Sequence, residues 1–379
     1  MDELRLIEVE PWRDLFDQSS LIAWMLTPKD PLVKATDYKL RALEIAKLFG
    51  SGRELKYQDS LRQCGTWLHF DSCPTGHEKK LRQANFCGKR LCPICQWRRT
   101  VRMAQELWEC LHAYFDDNPK DRLILVTLTV PNVKAKDLGY TVTHLFESYQ
   151  RLIKRKEVNK ICKGFYRTLE VTYNDARDDY HPHIHALFCV PSNYFTENYI
   201  KQDRWLELWQ ESTRDKSITQ IDVRAVNRGA TENGLNGNKN GVFREVSKYA
   251  VKTSDFLKDT VDDDKKIEVL LTYAFALHKR KLQAFGRDLL DYRKRLHLEK
   301  KNPQDEEKTD LTDYSDCACS ICNSKYVHEI FNWQKNVYFC TAVNEDPWIQ
   351  RQIGHAKIEL FKQKIRDHTK QRPFREKAS

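Results

Sequence analysis

The chain has 379 residues, of which 40% are hydrophobic and 31% are charged, so it can form a sizeable core and is long enough for two domains. Its formal net charge of +10, from 64 Lys and Arg against 54 Asp and Glu, favours a polyanionic partner such as nucleic acid. No apolar run approaches the roughly 18 residues of a membrane span, and the N-terminus lacks the basic and then apolar order of a secretory signal. The sequence therefore predicts a cytoplasmic protein and argues against a membrane partner.

The predicted elements begin with a helix over residues 37–50, followed by a cysteine-rich stretch at 61–102. Beyond it, β-rich runs end at turn residues, and apolar residues recur at helical spacing between them. The predicted order is a helix at 98–114, a strand at 122–130, a helix at 136–160, strands at 164–173 and 183–190, a helix at 197–211, a strand at 217–226, a helix at 242–257 and a charged helical segment at 267–301. This β-α-β-β-α-β-α order predicts an α+β fold, an antiparallel sheet with flanking helices.

Alternating histidines open the strand at 183–190. Residues two apart on a strand point to the same side, so His181, His183 and His185 share one face. Two imidazoles leave a divalent cation under-coordinated, and a third ligand is expected. Glu170, the lone acid of the neighbouring strand, and His181 compete for that role. Nitrogen and oxygen ligands with open positions suit Mn²⁺ or Mg²⁺ bridging to a phosphate.

The predicted helix at 242–257 carries a candidate nucleophile. Glu245, Tyr249 and Lys252 are spaced four and three residues apart, so they share one helical face. A phenol with a pKa near 10 needs activation, which a neighbouring ammonium and a metal-bound phosphate can provide. Lys252 would neutralise charge on the transferring phosphoryl group, and Glu245 would activate a water molecule.

The twelve cysteines indicate metal binding rather than disulfides if the compartment is reducing. Cys87, Cys92 and Cys95 lie within nine residues, and either Cys64 or Cys73 would complete a tetrahedral structural zinc site. His69 and His77 are less favoured ligands. A second zinc site is predicted from four other cysteines, namely Cys317, Cys319, Cys322 and Cys340. Four thiolates leave no open position, so either site would brace a basic surface rather than perform chemistry.

Together these motifs resemble a known family. The segments at 128–132, 181–185 and 245–252, with the cysteine-rich stretch at 86–99, are similar to those of plasmid rolling-circle replication initiators in the HUH endonuclease superfamily. The resemblance covers about residues 60–260. It implies a ferredoxin-like or RRM-like core, with a cysteine-rich zinc-binding segment before it and a helical extension after it. The implied regions are an N-terminal helical segment at 1–60, the zinc-binding segment at 61–115, the endonuclease domain at 116–260 and a charged C-terminal region at 261–379.

The resemblance also implies a reaction. His183 and His185 would carry the metal, Tyr249 would join the 5′ phosphate at a nick, and the freed 3′-OH would prime synthesis. Glu245 would assist a water molecule in the closing cleavage. The implied partners are plasmid origin DNA, a host helicase, a DNA polymerase, single-strand binding protein and, as a further candidate, a second copy of the chain. The sequence has no phosphate-binding Gly-x4-Gly-Lys-Ser/Thr loop, so unwinding is assigned to the host.

Three other functions share part of this pattern. A histidine-triad nucleotide hydrolase would explain the histidines but not the basic runs, the cysteines or the Tyr249 segment. A catalytically silent, zinc-braced DNA-binding regulator would explain the charge and the cysteines. A relaxase or transposase would use the same chemistry as a replication initiator. Formation of a protein–DNA adduct separates the first two from the others.

Overall fold

The computed structural model describes residues 31–226, 251, 257–258, 261–298, 318–319 and 321–344. Its contacts divide the chain into two compact units. The first unit is built mainly from residues 96–303, and the second from residues 29–50, 54–95 and 304–379. Among the described residues each unit holds one antiparallel sheet, which confirms the predicted α+β class.

The helices and strands follow one another along the whole described chain. In order they are α1 (Pro31–Ser51), α2 (Leu55–Gln63), β1 (Trp67–Ser72), β2 (Lys79–Ala84), α3 (Pro93–Asp117), β3 (Arg122–Thr129), α4 (Ala135–Lys154), α5 (Lys156–Ile161), β4 (Gly164–Asn174), β5 (Asp179–Val190), α6 (Gln202–Thr213), β6 (Ile221–Ala225), α7 (Asp263–Ala276), β7 (Gln283–Arg287), α8 (Asp288–Arg295), β8 (Val327–Gln334) and β9 (Val337–Asn344). A short 3₁₀ turn at Ser192–Phe195 lies between β5 and α6.

The sheet of the first unit has five strands in the order β6-β3-β5-β4-β7. The β-α-β-β-α-β run from β3 to β6 confirms the order predicted from the sequence. Numbered one to four, its strands lie in the order 4-1-3-2, so β5 pairs on both sides, with β3 and β4. The strand that carries the histidines is therefore held in the middle of the sheet.

Helices cover both faces of this sheet because its central strands carry apolar residues at consecutive positions, which point to opposite sides. On one face Leu107 and Leu111 of α3 pack with Leu125 of β3 and Leu187 of β5. On the other face the rings of α4 and α6 meet the phenylalanines of the central strands. The contacts join Tyr149 to Phe165 and Phe188, and Trp205 to Phe188. Both faces of β5 are thus buried next to its histidines.

The fifth strand departs from the sequence prediction. The segment at 267–301 was expected to be helical throughout, but β7 interrupts it and pairs with the first half of β4. Gly286 allows β7 to lie close to β4, because a Cβ atom at this position would collide with the ring of Phe165. A side chain at position 286 would therefore displace that ring from the sheet face.

The sheet of the second unit combines strands from distant parts of the sequence, in the order β2-β1-β8-β9. Strand β1 pairs with β2 beside it in the chain and with β8, in a ladder that runs from Trp67–Asn332 to Ser72–Val327. Residues 327–344 therefore form strands β8 and β9 and not the helix that was predicted for the C-terminal region. The sequence of β8 did not predict a strand because His328, Glu329 and Asn332 interrupt its apolar residues without regular alternation.

Two further findings concern the predicted elements. Of the predicted helix at 242–257, only Val251 and Leu257 are described, and neither is helical; Val251 forms a single parallel bridge to Val171. Across the described part of the chain, no helix is both long and apolar enough to cross a membrane.

Candidate metal centres

Glu170, His183 and His185 come together on β4 and β5 and are called the Glu–His–His group below. Glu170 lies directly opposite His183 in the ladder of these strands. The Nε2 atoms of His183 and His185 lie 3.3 Å and 3.0 Å from Glu170 Oε2. All three residues have less than a tenth of their surface exposed. The structure thus places three donor atoms of the predicted metal face at one point.

The orientation of both rings is fixed from behind. His183 Nδ1 lies 3.2 Å from the backbone oxygen of His181, which can only accept, so Nδ1 donates. His185 Nδ1 lies 3.1 Å from the hydroxyl of Thr127, its cross-strand neighbour on β3. Hydrogen bonds at the second ring nitrogen set the tautomer and orientation of metal-binding histidines. With Nδ1 engaged in this way, Nε2 is the ring nitrogen of His183 that faces the carboxylate.

This donor set fits a divalent cation. A lone pair on Nε2 facing a carboxylate oxygen at hydrogen-bond distance is repulsive unless a proton or a cation lies between them. Neighbouring ligands about 2.1 Å from one octahedral cation lie about 3.0 Å apart, close to the spacing found here. Two imidazoles and one carboxylate leave further coordination positions for a substrate oxygen. The group can therefore hold a metal of the type predicted from the sequence.

His181, the competing third ligand, lies outside this group. Its Nδ1 atom is 2.7 Å from Oδ1 of Asn132, and the Asn132 amide donates to Asp179. Burial lowers the pKa of His181, and the neighbouring His183 adds to the effect. The Asn132 side chain from the 128–132 segment thus holds His181 at the mouth of the site.

The candidate residues Glu245, Tyr249 and Lys252 lie outside the described residues. Val251, between the last two in sequence, is described and buried. Its bridge partner Val171 follows Glu170 on β4. Strand β7 pairs with β4 only as far as Thr168, so the Val251 bridge occupies the continuation of the same edge.

Four cysteines of the second unit form a separate group, called the four-cysteine group. Its Sγ atoms lie 3.4 Å (Cys64–Cys92), 3.6 Å (Cys64–Cys95) and 3.7 Å (Cys87–Cys95) apart. Thiolates about 2.3 Å from one tetrahedral Zn²⁺ lie about 3.8 Å apart, so the spacing suits zinc. Of the two candidates for the fourth position, Cys64 occupies it and Cys73 does not.

A buried lysine supports metal binding at the four-cysteine group. Lys39 of α1 is fully buried and donates to the backbone oxygens of Arg62 and Cys64 at 2.6 Å. Burial lowers the pKa of Lys39 to about 8, while the nearby thiols act in the opposite direction. Burial also raises the pKa of the thiols of Cys64 and Cys87. Four thiolates on one Zn²⁺ carry two net negative charges, which a buried ammonium would offset.

The second predicted cysteine site has other members in the structure. Cys319 and Cys322 lie with Cys73 and His77, whose donor atoms are within 4.8 Å of one another. Cys340 is exposed on β9 and is not in the group, and Cys317 lies outside the described residues. The β1–β8 pairing, not proximity in the chain, brings Cys73 and His77 to Cys319 and Cys322.

A third group of possible metal ligands in the second unit was not predicted from the sequence. His69 and Asp71 of β1 and His328 of β8 form the His–Asp–His group, all nearly fully buried. His328 Nδ1 lies 2.6 Å from Asp71 Oδ1, and Arg82 of β2 forms an ion pair with the other oxygen. Burial alone would raise the pKa of Asp71. The His328 hydrogen bond and the charge of Arg82 outweigh this effect and hold the pKa below its usual value. The sequence signal was the spacing of His69 and Asp71 on one strand face.

Comparison with known proteins finds similarity to replication proteins. The family model described as "Replication protein" matches residues 78–339. The chain is 32% identical to "Protein rep" of Streptococcus pneumoniae serotype 2 (strain D39) over 79% of this chain and 90% of that protein. It is 38% identical to "Protein rep" of Staphylococcus aureus over 52% of this chain and 83% of that protein, and 32% identical to "Protein rep" of Bacillus amyloliquefaciens over 67% and 77%. No solved structure matches.

Proposed function

This chain belongs to the replication protein family, and on that premise we propose that it initiates plasmid rolling-circle replication by nicking the origin in a metal-dependent reaction. The observation that carries the proposal is the convergence of His183 Nε2 and His185 Nε2 on Glu170 Oε2 in the middle of the sheet. The net charge of +10 suits a DNA substrate. The proposed site of action is the bacterial cytoplasm.

The chain's own residues divide the reaction between them. The Tyr249 oxygen attacks the scissile phosphorus and loses its proton; the bond from phosphorus to the 3′ oxygen breaks, and that oxygen leaves as the 3′-OH. The 5′ phosphate stays on Tyr249, and Lys252 offsets the charge that develops during transfer. A divalent cation at the Glu–His–His group, Mn²⁺ or Mg²⁺, would polarise the phosphate. Glu245 activates water for the cleavage that ends a round.

The Val251 bridge supports Tyr249 as the nucleophile. Val251 is two residues beyond Tyr249 in the chain, and two residues span at most about 7 Å. Val171, the bridge partner, is the next residue after Glu170. This closeness in the chain of Tyr249 to Val251, and of Val171 to Glu170, supports the choice of Tyr249 as the nucleophile.

The test is formation of a covalent adduct. Full-length protein is incubated with Mn²⁺ and a labelled single-stranded hairpin of the cognate origin, then boiled in detergent. We expect a labelled adduct whose DNA is mapped to Tyr249 by mass spectrometry, and no adduct with Tyr249→Phe. Tyr140→Phe is the matched control, because Tyr140 is 76% exposed on α4 and has no assigned role.

Two results would contradict the proposal. An undiminished adduct with Tyr249→Phe would reject the nucleophile, and full activity of the double variant His183→Ala, His185→Ala would reject the metal site. For Glu245→Ala we expect normal nicking but failed termination, with replication running past a second origin copy. Hydrolysis of a nucleotide amide without any adduct would favour the histidine-triad alternative.

The four-cysteine group has a supporting role in this proposal. We assign it a structural Zn²⁺, since four protein thiolates leave no position for a substrate. The proposal also requires partners that the chain does not replace, namely a host helicase, a polymerase and single-strand binding protein. ATP-driven unwinding by the purified protein alone would argue against this division of work.

A further inference from the structure

The group at Cys73, His77, Cys319 and Cys322 brings together two tight turns of the second unit. Cys73 Sγ lies 3.5 Å from Cys322 Sγ, although the two residues are 249 positions apart in the chain. His77 Nδ1 lies 3.9 Å from Cys73 Sγ and 4.0 Å from Cys319 Sγ. Thiolates about 2.3 Å and an imidazole about 2.1 Å from one tetrahedral Zn²⁺ would lie about 3.5 to 3.8 Å apart. The donor atoms thus already have nearly the spacing that zinc requires.

We propose that Cys73, His77, Cys319 and Cys322 bind one Zn²⁺ as a closed structural site that fastens the turn after β1 to the turn before β8. Each turn supplies two ligands, in the spacings Cys-x3-His and Cys-x2-Cys. Short spacings of this kind are those by which structural zinc sites are formed. Four protein ligands leave no open position, so the site holds the chain together and performs no chemistry.

Backbone geometry prepares both turns for this role. In the first turn, the amide of Cys73 donates to Glu78 O at 2.7 Å, and Gly76 closes the turn with a positive φ of 81°. In the second, the Cys319 amide donates to Ser324 O at 2.8 Å, and the Asn323 amide donates back to Cys319 O at 2.9 Å. Each turn is therefore closed by its own backbone hydrogen bonds around its two proposed ligands.

The sulfur atoms also receive amide hydrogen bonds. The backbone amides of Ile321 and Cys322 donate to the sulfur of Cys319. The amides of Thr75 and His77 donate to the sulfur of Cys73 in the same way. Amide donors around a ligand sulfur help to fix its orientation towards a metal. This arrangement is not needed by thiols that merely pack in a core.

The sheet explains why these two turns meet. The β1–β8 ladder ends at the pair Ser72–Val327, one residue before Cys73. A hydrogen bond from Tyr326 to Glu78 closes the same end of the sheet. A metal bound beyond this point would close a loop of more than two hundred residues, which restricts the unfolded chain strongly. The zinc would therefore stabilise the attachment of β8 and β9 to β1 and β2.

The experiment is a metal count on the full-length protein, freed of loosely bound ions and measured by inductively coupled plasma mass spectrometry. With the four-cysteine group filled, we expect two zinc ions per chain in the parent protein and one in Cys322→Ser. Cys340→Ser is the matched control and should keep both ions, because Cys340 is exposed and outside either group. One zinc in the parent protein, or two in Cys322→Ser, would overturn the proposal.

A second variant keeps the test decisive if Cys322→Ser fails to fold. His77→Cys should retain both ions and, after replacement of zinc by Co²⁺, should strengthen the sulfur-to-cobalt charge-transfer absorption. His77→Ala should lose one ion. An unchanged cobalt spectrum in His77→Cys would show that position 77 is not a ligand. These readouts do not depend on DNA nicking, so they remain valid if the proposed function fails.

Discussion

The Glu–His–His group and the His–Asp–His group each combine two histidines with one carboxylate on neighbouring antiparallel strands, yet their surroundings differ. At Asp71 a buried guanidinium from Arg82 already balances the carboxylate, and His328 donates to its other oxygen. At Glu170 two imidazole Nε2 atoms converge on a single oxygen. A carboxylate paired with a fixed cation has less affinity for a metal ion. The comparison indicates that Arg82 makes one group a structural ion network, while the other is arranged for a cation.

The largest expected effect tests the functional side of this comparison. Glu170→Gln keeps the shape of the side chain but removes its charge, so metal binding should weaken and nicking should fall by about a thousandfold. His181→Ala is the matched control and should retain most activity, because only its backbone oxygen orients His183. The measurement is the rate of adduct formation at several Mn²⁺ concentrations. Equal losses in the two variants would remove the distinction between Glu170 and His181.

The equivalent change in the His–Asp–His group should lower the stability of the protein and leave its nicking activity largely unchanged. Asp71→Asn would leave the Arg82 guanidinium buried with only a neutral partner, which should cost about 3 kcal/mol of unfolding free energy. Denaturant unfolding measures this loss. Nicking per folded molecule should change little. A large loss of nicking in fully folded Asp71→Asn would mean that the two groups are not separate in function.

The His–Asp–His group should also make stability depend on pH. Burial lowers the pKa of His69 to about 4. The pKa of His69 is lower in the folded protein than in the unfolded chain. Its contribution to the free energy of unfolding is therefore fully present above about pH 6.5 and is lost as the pH falls towards 4. Between pH 7 and pH 5 the loss is about 2 kcal/mol. His69→Gln should reduce the slope of unfolding free energy over this range, and an unchanged slope would exclude His69 as its source.

The smallest expected effect concerns the orientation of a single ring. Thr127→Val removes the hydroxyl that lies 3.1 Å from His185 Nδ1 but preserves the side-chain shape. Loss of such a supporting hydrogen bond weakens metal affinity by about tenfold. Titration of the nicking rate with Mn²⁺ should show a higher half-saturation concentration and a similar maximal rate. A lower maximal rate at saturating metal would instead indicate a role in the chemical step.

The family, the α+β class and four of the five strands of the first sheet, β3 to β6, were predicted correctly, because hydrophobic periodicity and the histidine alternation are local signals. The grouping of His183 and His185 on one face was predicted from strand geometry, which places every second side chain on one side. Strand β2 was missed because it begins Lys79-Lys80, and β8 because His328, Glu329 and Asn332 break up its apolar residues.

The cysteine partners could not be predicted for a different reason. Cys73 and His77 meet Cys319 and Cys322 only through the register of β1 and β8, which is a tertiary property. The same register brings His328 to Asp71 and so creates the His–Asp–His group. Sequence spacing favoured Cys340 instead, a residue that lies on the outer strand of the hairpin. Contacts between distant segments were therefore the limit of the prediction.

The strand order of the second sheet has a consequence for synthesis of the chain. Its inner strands are separated by the whole of the first unit, so β1 stays without its β8 partner until residue 334 has left the ribosome. All five strands of the other sheet are already available by residue 287. Because domains fold as they emerge, the nascent protein would complete the sheet that bears Glu170 first. A chain terminated between residues 298 and 327 would keep that sheet and expose the bare edge of β1 to association with other molecules.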